Sequence, residues 1–234
     1  YYYGIAESEN TQTHSHSNLI EAFSNAASWQ RKERVFASIT NLMVKMLDGQ
    51  SRLNIINDAP LGDLRDSRSM FSLKNAYLAD NLNEINSFIH EAFNAYLAVT
   101  NVTNAGSAVA FMTAESPANA GVNPKLQDAT TIDFFANSSI CVEAKSQSDG
   151  TKAFLGLLLE LFFSSYKILL IDEPEAFLHP TLAYLLGTAV GKCSSDKQII
   201  CSTHSVDFLR GCLDTVKELN LLRLTRDRGG SVHV

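Results

Sequence analysis

What the 234-residue sequence lacks narrows the field first. Its four cysteines, Cys141, Cys193, Cys201 and Cys212, include no C-x-x-C pair, and three of them sit in apolar surroundings where a free thiol packs as a small hydrophobe. A disulfide scaffold is excluded, and the reduced thiols of a cytoplasmic protein are the expectation. Excess positive charge is also missing, since 19 Lys and Arg against 25 Asp and Glu leave a formal net charge of -6. A small basic nucleic-acid module is therefore excluded, because affinity for phosphate backbones comes largely from clustered cations; a local basic patch stays open. No uninterrupted apolar run spans a bilayer. Residues 154–171 have about the right length, but Glu160 and Lys167 interrupt them and Ser164-Ser165 breaks them in the middle. A buried helix followed by a buried strand is expected there. The N-terminus shows no basic segment followed by an apolar one, so no signal peptide is visible. Repeats and low-complexity tracts are absent too, and 45% hydrophobic residues with 19% interleaved charge describe a globular chain. The sequence opens Tyr1-Tyr2-Tyr3-Gly4 without methionine and closes on Ser231-Val232-His233-Val234 just past Gly229-Gly230. A piece of a longer protein is the expectation.

The first 150 residues carry periodicity but little chemistry. Leu19, Ile20, Phe23, Ala27, Val35, Phe36, Ile39, Leu42, Met43 and Met46 recur mostly at three- and four-residue spacing, which predicts an amphipathic helix from about 18 to 47, ended by Asp48-Gly49. Arg52 to Ile56 reads as a short strand, and a loop passes Pro60 and Gly62. A stripe of Leu78, Leu82, Ile85, Phe88, Ile89, Ala92, Phe93 and Tyr96 predicts a helix over 74–98. Between 108 and 144 the segments AVAFMT, TIDFFA and SICVEA read as short strands. His14 and His16 have no Cys or further His nearby, so a metal site there is disfavoured.

After residue 145 the pattern sharpens. A helix is expected over 151–163, a nearly all-apolar strand over 167–171, a helix over 180–192 with Pro180 in its first turn, a strand over 198–202, a helix over 206–219 and a strand over 221–225. Flat apolar runs suit parallel strands covered on both faces, and helices alternating with strands mean a parallel α/β sheet with right-handed crossovers.

Directly after the strand Ile168-Leu169-Leu170-Ile171 stand Asp172 and Glu173. Four apolar residues followed by Asp-Glu is the Walker B pattern of phosphate-loop nucleotidases, in which the first carboxylate holds magnesium. The carboxyl end of a parallel strand is also where open α/β sheets bind ligands. One apparent phosphate loop is a decoy. Gly187 to Cys193, GTAVGKC, has one residue too few between its glycines, lacks Ser or Thr after Lys192, and falls within an expected helix.

Three segments in order, SQSDGTKAFLGLLLE, ILLIDEPEAFLHP and IICSTHSVDFL, resemble the C-terminal half of an ABC-type ATPase head. More closely, they resemble prokaryotic ATP-binding proteins of the OLD-like (overcoming-lysogenization-defect) or AAA_21-like kind; the match covers residues 146–210. The resemblance implies an α/β parallel-sheet P-loop NTPase fold with an inserted helical lobe, divided into residues 1–107 (helical lobe and connecting segments) and 108–234 (signature, Walker B and switch histidine). It implies ATP and Mg2+ as cofactors and a homodimer of heads across ATP. Ser148, Asp149 and Gly150 would be the signature that meets the γ-phosphate of the opposite subunit, a role suited to a hydroxyl and orphan N–H groups at a helix start. Asp149 brings a negative charge there, or caps the helix. Asp172 would hold magnesium, Glu173 would activate water, and His204 would be the switch histidine at the γ-phosphate. His179 and Pro180 occupy the D-loop position, or simply start the next helix.

No G-x-x-x-x-G-K-[ST] occurs in the sequence. In such proteins the phosphate loop precedes the signature, so it is expected upstream of Tyr1, and this piece alone is expected to be inactive. The reading is an ATPase coupled to DNA maintenance, mobile-element defence or an effector. The alternative is a nucleotide-gated scaffold whose effector is a fused or neighbouring nuclease. DNA and effector partners rest on family analogy only, and no membrane is implied.

Overall fold

In the computed structural model, residues 2–7, 10–15, 40, 43–57, 71–102, 108–137, 139–216, 218–226 and 232–233 are described. In chain order the elements are β1 (Tyr2–Glu7), β2 (Asn10–Ser15), β3 (Val44–Leu47), α1 (Gly49–Asn57), α2 (Ser72–Leu78), α3 (Asn83–Phe93), β4 (Tyr96–Thr100), β5 (Val109–Thr113), α4 (Ala129–Ala136), β6 (Cys141–Glu143), α5 (Asp149–Phe163), β7 (Ile168–Asp172), α6 (Pro180–Cys193), β8 (Gln198–Ser202), α7 (Val206–Thr215), β9 (Thr225–Arg226) and β10 (Val232–His233). β1 and β2 pair antiparallel, as do the two-residue strands β9 and β10.

The functional end is built on a parallel sheet of order β3-β7-β8. Leu47, Ile171 and Cys201 share one row, and Lys45, Leu169 and Ile199 another on the same face. That face is the buried one, with Leu47 and Leu169 at 0% exposure. Along a strand, side chains alternate between faces. The opposite face carries Met46, Leu170 and Ile200 in one row and Asp172 beside Ser202 at its end. Met46 is 65% exposed and Ile200 53%. The expectation of strands buried on both faces is thus corrected: apolar content alone does not report which face meets a layer.

α5 lies against the buried side. Its run from Ala153 to Leu161 is buried throughout, as a helix hydrophobic all round must be. Gly156 lets α1 approach so closely that a Cβ would overlap the Arg52 carbonyl. Glu160, charged within this helix, is buried and pairs with Lys45 Nζ and Ser72 Oγ, both at 2.7 Å, tying β3 and α2 to α5. α6 and α7 pack face to face through glycine. Cβ atoms at Gly187 and Gly211 would overlap the carbonyls of Phe208 and Tyr184, and one at Gly191 would overlap Thr215 Oγ1. The GTAVG segment is therefore a helix-contact surface, which explains why it mimics a glycine loop. A second, antiparallel sheet, β4-β5-β6, encloses Ala98, Phe111, Phe134, Phe135 and Cys141.

Several elements differ from expectation. The long helix ending at 47 yields at its end to β3, and its residues 18–39 lie outside the described ones. Residues 52–56 are helical, within α1, because Arg52, Leu53, Ile55 and Ile56 are all buried, a pattern that four- and three-residue spacing accommodates. The helix expected over 74–98 is two helices and a strand; the left-handed Asn94 (φ 51°) ends α3 and β4 follows. TIDFFA is helical within α4, where Asp128 caps the helix by accepting from Thr131 N–H at 2.8 Å. α7 stops at Thr215, and residues 221–224 are not a strand. The four elements expected between 151 and 202 are present within two residues of their expected ends, and α7 starts at 206 as expected.

Two outcomes follow from this packing. Gly187→Ala should lower the unfolding free energy by about 1–3 kcal/mol, measured by urea denaturation, because the added methyl must displace the α7 backbone. All four thiols are free, and burial pushes Cys141 and Cys212 up to about 11 and Cys193 and Cys201 up to about 12. Raised folded-state values keep their stability contribution whole below the ordinary thiol range and lose it as pH climbs through 11–12. Unfolding midpoints should fall over that window, and a thiol reagent at neutral pH should label the chain rapidly only after guanidinium is added.

Candidate active site at the ends of the parallel strands

β7 ends on Asp172, and the chain must then turn away while leaving its carboxylates at the strand end. It does so with two non-glycine residues in the left-handed region, Glu173 (φ 43°) and Phe177 (φ 71°). Each such residue costs about 1–3 kcal/mol and persists only where its surroundings hold it. Glu173 N–H donates to the Ser202 carbonyl at 2.9 Å, prolonging the β7–β8 pairing by one residue. Ala176 N–H donates to the Glu173 carbonyl at 2.8 Å and Leu178 N–H to the Glu175 carbonyl at 2.9 Å.

The strongest restraint comes from another part of the chain. Arg52 on α1 is 0% exposed; its Nη1 donates to the Pro174 carbonyl at 2.6 Å and its Nη2 to the Glu173 carbonyl at 3.0 Å. Burial pulls the Arg52 pKa down, opposed by the negative charges of Glu175, Asp48, Asp172 and Glu173. Guanidinium starts so far above neutrality that it stays charged. Asp48 caps α1, accepting from Ser51 N–H at 2.7 Å, and the Ser51 bonds hold its carboxyl below the usual range.

At the surface above this clamp, Asp172 and Ser202 end adjacent strands, and Ser202 Oγ donates to Asp172 Oδ1. His204 Nδ1 lies 3.6 Å from Glu173 Oε1 and 3.3 Å from Glu175 Oε1. The structure therefore places Asp172, Glu173 and His204 at one edge. Ser148 caps α5, its Oγ accepting from Thr151 N–H at 3.3 Å. Asp149 occupies the first turn, paired with Lys152 at 2.9 Å. Gly150 meets the β7–α6 turn directly, since a Cβ there would lie 2.6 Å from the Phe177 carbonyl oxygen. His179 caps α6, with Nδ1 accepting from Thr181 N–H at 3.5 Å, and Pro180 fills the first turn.

Three residues at this edge escaped the sequence reading. Arg52 sat in a segment read as a strand, and Ser202 and Glu175 lay inside the quoted IICSTHSVDFL and ILLIDEPEAFLHP segments without a role. A second acidic residue across the proline was the available signal for Glu175; its burial was not. For magnesium, the donor set fits an ion that arrives with phosphate. Among the described residues no group of three or more His, Cys, Asp or Glu could hold a metal unaided. The exposed strand-end carboxylate of Asp172 suits Mg2+, which takes one or two carboxylates together with waters and substrate phosphates.

Residues 11–210 match the family AAA_21, described as "AAA domain, putative AbiEii toxin, Type IV TA system". The chain belongs to this family. An AAA_21 domain is a phosphate-loop ATPase module, so the strand-end carboxylates stand in a nucleotide-handling fold. Among solved structures, one described as "Crystal structure of the SmcHead bound to the C-winged helix domain of ScpA" is 13% identical with a TM-score of 0.48. The alignment covers 86% of this AAA_21 chain and 57% of that one, so the chain spans little more than half of that structure's length. A comparison with curated proteins returns no match. Among the described residues no helix is long and apolar enough to cross a membrane.

Arg52→Leu should lower the unfolding free energy by about 3 kcal/mol or more in guanidinium titrations, because two carbonyls and the acidic turn lose their buried cation. Arg52→Lys should recover only part of this, since one ammonium does not span both carbonyls as the planar fork does.

Proposed function

We propose that this AAA_21 domain hydrolyses ATP with magnesium in a dimer of heads. The observation that carries the reading is the convergence of Asp172, Glu173 and His204 at the ends of β7 and β8, with Glu173 held in a left-handed conformation by an internal cation. In this reading Asp172 holds the magnesium ion, which supplies charge neutralisation at the phosphates when bound. Glu173 orients water and takes its proton. His204 meets the γ-phosphate from the β8–α7 loop.

The start of α5 supplies the signature: Ser148 and Gly150, with orphan N–H groups of the first turn, form an anion-binding end that serves the nucleotide of the opposite subunit. Asp149 is neutralised by Lys152 and borders that end. Residues 1–234 contain no G-x-x-x-x-G-K-[ST] cradle, so in this reading the chain alone binds ATP weakly. Residues 1–107 are the helical lobe and its connecting segments, where the specific function attaches, and 108–234 carries the signature, Walker B and switch-histidine motifs. The family description speaks of an AbiEii toxin and a type IV toxin–antitoxin system; defence against mobile elements, through an effector partner in the cytoplasm, is the process proposed here. The resemblance of the same three segments supports reading the subtype as OLD-like.

In protein carrying this head together with its phosphate loop, Glu173→Gln should lower ATP turnover at least about 100-fold. ATP-bound dimer should accumulate in size-exclusion chromatography. Undiminished phosphate release would overturn the assignment of Glu173. Nucleotide binding by wild-type protein without any release would favour the scaffold reading.

A further inference from the structure

The β7–α6 turn holds a third carboxylate that the proposed reaction leaves unused. The Glu175 side chain is 9% exposed, while Glu173 and His204 beside it are 56% and 76% exposed. A buried carboxylate persists where donors surround it, and here they come from the β8–α7 loop. Glu175 Oε2 accepts from Thr203 Oγ1 at 2.9 Å. Its Oε1 accepts from the His204 backbone N–H at 3.2 Å and lies 3.3 Å from His204 Nδ1. Thr203 Oγ1 in turn accepts from Ser205 N–H at 3.0 Å. One carboxylate thus organises three consecutive residues, and its negative charge is among those that favour the cation of buried Arg52.

We infer that Glu175 is the positioning residue of His204, an inference that rests on the ATPase reading. The 3.3 Å approach sets a carboxylate, which only accepts, beside Nδ1; that favours the tautomer with its proton on Nδ1 and leaves Nε2 for the nucleotide or its attacking water. Glu175 also competes with Glu173 for the same Nδ1, at 3.3 Å against 3.6 Å. With Glu175 holding the ring, Glu173 keeps its carboxylate for water. Without it, switch and base pair with each other.

Long-range proton–nitrogen NMR correlations of the imidazoles in this chain read the tautomer without needing turnover. His204 should be protonated at Nδ1 in the wild type, and that signature should be lost in Glu175→Gln. Glu175→Asp, which keeps the charge but withdraws it from the ring, should lose it as well and serves if the first variant fails to fold. Thr203→Val, acting on the other carboxylate oxygen, should preserve it. In the full-length ATPase, Glu175→Gln should lower kcat about 10- to 100-fold with KM nearly unchanged. The double variant with His204→Ala should be no slower than His204→Ala alone. An unchanged His204 tautomer in folded Glu175→Gln or Glu175→Asp overturns the positioning role, and so do additive losses in the double variant. A wild-type protein without turnover overturns the ATPase reading instead, and the tautomer measurement still decides Glu175.

Discussion

One buried guanidinium couples the two halves of the described structure. Arg52 belongs to α1, more than a hundred residues before the turn it restrains, and it binds the carbonyls of Glu173 and Pro174 from within the core. A cation without solvent is costly unless acceptors and opposite charge replace the water it loses. Here two carbonyls, the Asp48 carbonyl and the surrounding carboxylates do so. In return the acidic turn gains an internal countercharge, and Glu173 holds a backbone conformation that a non-glycine residue otherwise avoids. The β3–α1 unit is therefore part of the machinery of the strand ends and not an appendage to them.

The helices reinforce this arrangement by close approach. Gly156 brings α5 against the Arg52 backbone, Gly150 brings the start of α5 against Phe177, and glycines on α6 and α7 let those helices touch backbone to backbone. Side chains of ordinary size would collide with the backbones these glycines face, so the layers would have to shift. The buried face of the sheet is where that packing happens. The open face carries Asp172 and Ser202 at the end where parallel strands present ligands.

Residues 146–210 were legible because several independent signals agreed there. Flat apolar strands, a Ser at the start of a helix, Pro180 in a first turn and Asp-Glu at a strand end all point to one architecture, and the four elements expected between 151 and 202 appear within two residues of their expected ends. Elsewhere a single signal was ambiguous. RLNII suits a strand by composition, yet its four buried residues lie on a helix facing α5. TIDFFA reads the same way, but the Asp128 cap and the packing of Phe134 and Phe135 against Phe111 make it a helix. The stripe over 74–98 continues in phase through a break at Ala79 and into a strand, because periodicity does not register where the chain turns back.

By itself the sequence determined the α/β character of the C-terminal part and the order of its elements, since each rests on local spacing, while Asp172, Glu173 and His204 were singled out by the resemblance of their segments to a known family. Only the tertiary structure decided what surrounds that set. The burial of Arg52, the inward path of Glu175 and the pairing of β3 with β7 join residues more than a hundred positions apart in the first and last cases, and in the middle one depend on a loop arriving from the neighbouring strand. Such contacts are set by how layers pack, and no local pattern of residues encodes them.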